Sequence, residues 1–78
     1  MILIDDVHMV SDESLAELHA FAKRIGLKRG WYQRGHYDLW GKMGRRALLS
    51  GAVRVTPREL IRRMASRPRR SYRGGGSA

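Results

Sequence analysis

The sequence predicts a small single-domain α/β fold with a two- or three-stranded, mainly parallel sheet and flanking helices, in the order β-α-β-α-β-α. Three observations lead there. Short apolar runs alternate along the chain with stretches whose apolar residues recur every three or four positions. Gly26 and Gly51 each follow such a helical stretch, where a left-handed C′ residue is wanted. Thr56-Pro57-Arg58-Glu59 is a capping box with proline at the first helical position, a strong start signal.

Taken in order, Met1 to Val7 (MILIDDV) reads as a short buried strand that ends at its two acids. Ser11 then offers an N-cap, with Asp12 and Glu13 in the first turn, where the helix dipole favours negative charge. Leu15, Leu18, Phe21, Ala22 and Ile25 mark the apolar stripe of a helix over about residues 12–25, and Leu27 can fold back on its last turn. His19 falls beside that stripe and reads as a boundary residue. Residues 30–33, GWYQ, form a second short strand, with RGHYD as the loop leaving it. Asp38 caps a second helix over about 39–50, weakened by Gly41 and Gly44. Ala52 to Val55 makes the third strand. Leu60, Ile61, Met64 and Ala65 give the third helix its apolar side. The domain is expected to span residues 1–67, and the basic, glycine-rich residues 68–78 to be a disordered tail.

Charge is the strongest compositional signal. The chain has 78 residues, a net charge of +9 and no cysteine, so disulfides and thiolate metal sites are excluded. Residues 1–22 hold five acids and no Lys or Arg, whereas all 16 Lys and Arg follow, against Asp38 and Glu59 alone. Such a face attracts polyanions, nucleic acid above all, through counterion release. No basic leader precedes an apolar run and no run is long enough for a membrane span, so a cytoplasmic protein without membrane contact is expected.

The stretch from His8 to Leu27, HMVSDESLAELHAFAKRIGL, is followed by Trp31, by His36-Tyr37-Asp38 and by RALLSGAVRVT. In these residues, over about 2–64, the chain resembles the family called domain of unknown function 4031, small proteins of bacteria and their phages. Its most specific features are His8 with Asp12, Glu17-Leu18-His19 and His36-Tyr37-Asp38. The chain departs from the family in the single residue, Val7, between Asp6 and His8, where a longer loop is usual. The resemblance implies a fold and site positions, and is consistent with a phage origin. It implies no activity.

In a parallel sheet of this kind ligands sit beyond the carboxyl ends of the strands. That edge would gather Asp5, Asp6 and His8 after the first strand, His36 and Asp38 after the second, and Asp12 at the first helix start. Imidazole and carboxylate donors suit Zn, Mn or Fe, and carboxylates with water suit Mg, so these six residues are candidate ligands for a divalent metal. His36, Asp38, His8 and Asp12 are the candidates for acid–base catalysis, with His36 against Asp12 or Asp6 as the natural pair. The competing explanation is structural: Asp12 and Asp38 are good helix starts, and loop histidines bond the backbone. No spacing such as His-Glu-x-x-His selects between the two, and enzyme status stays open.

Trp31, Tyr32, Tyr37 and Trp40 are interleaved with Lys28, Arg29, Arg34 and Lys42, a pattern that can stack bases while cations hold phosphates. A domain this small also needs large side chains inside, so Trp31 and Trp40 are expected to be mainly buried and Tyr32 or Tyr37 exposed. Arg58, Arg62, Arg63, Arg67, Arg69, Arg70 and Arg73 form an arginine-rich end suited to bidentate phosphate contact, supported by Lys28, Arg29, Arg45 and Arg46. No helix-turn-helix or zinc-finger signature implies base reading. The expected function is a phosphate-contacting, nucleic-acid-binding accessory protein. The alternatives are a small metal-dependent hydrolase or nuclease using the His/Asp edge, and a phage module that meets an acidic host protein. Exposed sheet edges also allow a homodimer.

Overall fold

The computed structural model describes residues 1–67. The elements run β1 (Ile2–Ile4), β2 (His8–Ser11), α1 (Leu15–Arg24), a 3-10 turn (Arg29–Trp31), β3 (Tyr32–Gln33), β4 (His36–Asp38), α2 (Met43–Leu49), β5 (Val53–Arg54) and α3 (Pro57–Ala65). One five-stranded sheet forms, in the order β3-β4-β2-β1-β5. Pairings β3–β4, β4–β2 and β2–β1 are antiparallel and only β1–β5 is parallel. The expected mainly parallel sheet of two or three strands, in β-α-β-α-β-α order, is therefore incorrect.

Two tight turns account for the difference. At the first, Asp5 does not end an isolated strand; it turns the chain straight back. Its Oδ1 accepts from the backbone N–H of Val7 (2.9 Å) and of His8 (2.7 Å), while its own N–H donates to the His8 carbonyl at 3.1 Å. An aspartate side chain satisfying the turn's donors needs no helical crossover, so His8–Ser11 pairs antiparallel with Ile2–Ile4. At the second, Arg34 and Gly35 carry φ of 51° and 91° between β3 and β4. Two successive positive φ values are what a two-residue hairpin loop of type I′ requires, and Gly35 meets that at no steric cost. His36-Tyr37-Asp38 thus forms a strand, where the sequence predicted a loop.

Helix ends follow local chemistry more closely. Gly26 (φ 92°) and Gly51 (φ 113°) end α1 and α2, and the N–H of Leu27 donates to the Ala22 carbonyl at 2.9 Å. Thr56 caps α3 through Glu59 N–H, with Pro57 first in the helix. The N-cap of α1 is Ser14, three residues later than expected. Ser11 is held in β2 opposite Ile2, and its hydroxyl accepts from the N–H of Glu13 and Ser14 in the turn before the helix. Asp38, being paired in β4, does not cap α2, which begins after Lys42.

Alternation along the strands divides the interior into two. Ile2, Ile4, Met9 and Tyr37 pack with Leu18, Phe21, Ala22 and Ile25 of α1 and with Ala47 of α2. Leu3 and Val10 face the other way, onto Leu60 and Met64 of α3. The side chains of Asp5, His8, His36 and Asp38 follow the parity of this second face. There α3 covers only part of the sheet.

Candidate functional site

The register of the sheet assembles a polar cluster. His8 stands opposite Asp38 across β2 and β4, and His36 lies two residues before Asp38 on the same face. His36 Nε2 is 3.2 Å from Asp38 Oδ1. The His8 and His36 rings meet edge to face, with centroids 4.9 Å apart. One donor atom from each of His8, His36 and Asp38 lies within 4.8 Å of the others. Behind His8 sits Asp5, only 4% exposed, with Oδ2 at 3.3 Å from His8 Nδ1. Burial by itself raises the pKa of this carboxyl, but the N–H groups of Val7 and His8 and the His8 ring outweigh it. Asp5 is therefore held below the usual carboxylate range and is ionised at neutral pH.

Asp5, His8 and His36 form one wall of a cleft of about 240 Å³, and Pro57, Leu60, Ile61 and Met64 of α3 form the other. The sequence points to the polar residues but not to the apolar wall, because Ile61 and Met64 fit the apolar side of a helix without further meaning. Gln33 was also missed. Its Nε2 donates to Asp38 Oδ2 at 3.0 Å and so fixes the carboxylate across the hairpin. The signal was the alternation of Tyr-Gln and His-Tyr about Arg34-Gly35.

The remaining predicted site residues lie elsewhere. Asp6 pairs with Arg54 at 3.0 Å. Asp12 accepts from Arg63 at 2.7 Å and lies 3.0 Å from the Met1 ammonium group. Neither reaches His36, whose carboxylate partner is Asp38.

Tyr37 points to the opposite face, so the three residues of His36-Tyr37-Asp38 do not share a site. Its hydroxyl is hydrogen-bonded to His19 Nδ1 at 2.8 Å, and the ring is 1% exposed. His19, Tyr37, Lys23, Leu27 and Arg29 line a second cleft of about 430 Å³. Burial, then the nearby Arg29 charge, lowers the His19 pKa below its ordinary 6.5. A histidine whose folded pKa is depressed contributes stability that is present above 6.5 and is lost as pH falls through the folded value. We expect the urea-unfolding stability of wild type relative to His19→Asn to decline as pH falls below 6.5, with no relative change above it. Parallel pH profiles for the two proteins would refute this assignment.

Aromatic burial departs from expectation at two of the four rings, while Trp31 is partly buried against the core as expected and Tyr32 is half-buried beside it. Tyr37 is in the core, while Trp40 is 51% exposed, beyond the end of β4. Trp31 and Trp40 meet edge to face at 4.7 Å, and Lys28 Nζ lies 5.9 Å from the Trp31 ring centre.

Several of the predicted phosphate-binding arginines have intramolecular partners. Arg62 and Arg63 both clasp Glu59 at 2.7 Å and hold its carboxyl below the usual range. Arg67 donates to the Ser11 carbonyl at 3.3 Å and Arg46 to the Ile25 carbonyl at 3.1 Å. Arg45 and Arg58 are exposed and form no side-chain hydrogen bond or ion pair with another described residue. Arg69, Arg70, Arg73 and the expected disordered tail lie outside the described residues.

These features define a small mixed-sheet domain with a histidine–carboxylate cleft beside its third helix. A family model described as protein of unknown function (DUF4031) matches residues 5–67, and the chain belongs to that family. No curated protein and no solved structure matches the chain. Among the described residues no helix is long and apolar enough to cross a membrane.

Proposed function

We propose that the protein is a nucleic-acid-binding accessory protein that contacts phosphates and stacks bases. The observation that carries this reading is the half-exposed Trp40 ring against Trp31, beside Lys28. An exposed indole is a costly surface for water and a good platform for a base, since every base has a π face. Gly30, Trp31, Tyr32, Gln33, Asp38 and Trp40 line a groove of about 260 Å³ there. The net charge of +9 supplies long-range attraction. Arg45 and Arg58 serve phosphates better than Arg62, Arg63 or Arg67, because they give up no ion pair or hydrogen bond to another described residue to do so.

The test is a titration of the protein with short single-stranded and duplex oligonucleotides, followed by tryptophan fluorescence at low and moderate salt. Affinity is expected to fall steeply with salt. Trp40→Ala should lower single-strand affinity by about tenfold, a stacking contribution of about 1–3 kcal/mol. Arg58→Ala and Arg45→Ala should flatten the salt slope. Absence of saturable binding at low salt would exclude the reading. Capture of a cellular protein that survives nuclease treatment would replace it with a protein partner.

A further inference from the structure

We propose that His8, His36 and Asp38 form a binding site for one divalent transition-metal ion of the zinc class, with Asp5 as the residue that orients His8. This inference rests on the polar cluster between β2 and β4; Asp38 and Gln33 also border the stacking groove, but nothing in it draws on the nucleic-acid reading. Two imidazoles and a carboxylate are a donor set suited to Zn and its neighbours, and unsuited to Ca or Mg, which take oxygen.

Distances favour it. Bonds of about 2.0–2.2 Å to one ion place neighbouring donors about 3–3.5 Å apart. His36 Nε2 and Asp38 Oδ1 already stand at 3.2 Å. His8, half-buried beside them, completes the set with a donor atom within 4.8 Å of both.

The surroundings are those of a metal site as well. A ligating histidine commonly gives its other ring nitrogen to a carboxylate, which fixes ring and tautomer. Asp5 is placed for that: Oδ2 lies 3.3 Å from His8 Nδ1, leaving Nε2 for the ion. Asp5 is itself immobilised by the N–H groups of Val7 and His8, so the orienting group is part of the β1–β2 turn. Gln33 plays the corresponding part for Asp38, through Oδ2, which leaves Oδ1 toward His36. Three protein ligands leave a coordination position open to the cleft bounded by Leu60, Ile61 and Met64, the arrangement that separates reactive from purely structural zinc sites.

The chain carries its own control, because the third of its three histidines, His19, lies on the other face of the sheet against Tyr37. The experiment is a titration of the untagged, full-length, metal-free protein with zinc chloride, read by calorimetry and by the imidazole proton resonances. One ion is expected to bind, shifting the His8 and His36 resonances and leaving His19 in place. His36→Ala and Asp38→Asn should weaken binding by about 100-fold, and Asp5→Asn by about tenfold, while His19→Asn should not weaken it. Cobalt(II), in place of zinc, should give visible absorption bands that His36→Ala abolishes. The wild-type resonances decide the matter even if a variant fails to fold. No saturable binding, equal shifts of all three histidines, or a shift of His19 alone would overturn the site.

Discussion

Replacing Asp5 by alanine is expected to cost about 2–4 kcal/mol, a large part of the stability of a domain this small. The carboxylate is 4% exposed and closes the β1–β2 turn with two backbone donors at 2.9 and 2.7 Å. Hydrogen bonds to a charged acceptor contribute about 1.5–3 kcal/mol, and their loss leaves the Val7 and His8 N–H groups without a protein partner in a tight turn. The consequence extends beyond the turn. The turn holds the first residue of β2, His8, which stands opposite Asp38 of β4, so a loosened turn also disturbs the cluster. Asp5→Asn keeps an acceptor oxygen and should cost less than half as much. Urea unfolding with equal m-values would measure both. A loss below about 1 kcal/mol in Asp5→Ala would mean that water replaces the carboxylate and that the turn forms without it.

The second large effect is expected at Tyr37. Truncation to alanine removes a ring that is 1% exposed and touches both Tyr32 and His19, at centroid distances of 5.6 and 5.7 Å. Emptying a site of that size costs about 3–5 kcal/mol, so Tyr37→Ala should be largely unfolded. Tyr37→Phe fills the space and removes only the bond to His19, at a cost of about 1 kcal/mol. Because Tyr37 lies across the sheet from His36 and Asp38, Tyr37→Phe should leave zinc binding unchanged. Thermal unfolding with and without zinc separates the two properties. If Tyr37→Phe abolished the zinc-dependent rise in Tm, the two faces would be coupled through β4 and the division of labour drawn here would be wrong.

The arginine-rich end illustrates how composition and structure divide the reading. Composition treats Arg58, Arg62, Arg63 and Arg67 alike, as one basic segment. Folding makes them unequal. Glu59 sits one turn before Arg62 and Arg63 and engages both, whereas the exposed Arg58 at the preceding position forms no side-chain hydrogen bond or ion pair with a described residue. An ion pair on an exposed helix is worth little, so under the proposed function Arg62 and Arg63 would open for a phosphate at small cost and Arg58 at none.

The sequence by itself determined what depends on near neighbours. Gly26 and Gly51 stop their helices because only glycine enters the left-handed region freely, and Thr56-Pro57 starts α3 because cap and proline act within one turn. The chemical identity of the cleft was also legible: His8, His36, Asp38 and Asp5 stood out as polar residues at element boundaries. Tertiary structure alone decided which of them meet. Asp5 could end a strand or reverse it, and Arg34-Gly35 lacks the Asn-Gly or Asp-Gly signature of a two-residue hairpin. Both turns hold because the hairpins they close bury Ile4, Met9 and Tyr37 under α1, a gain that no local window contains. With the antiparallel register set, strand alternation sends Tyr37 into the core and His36 and Asp38 to the opposite face, beside His8. The period of two along a strand, fixed only once its partners are known, separates the core residue from the site residues on either side of it.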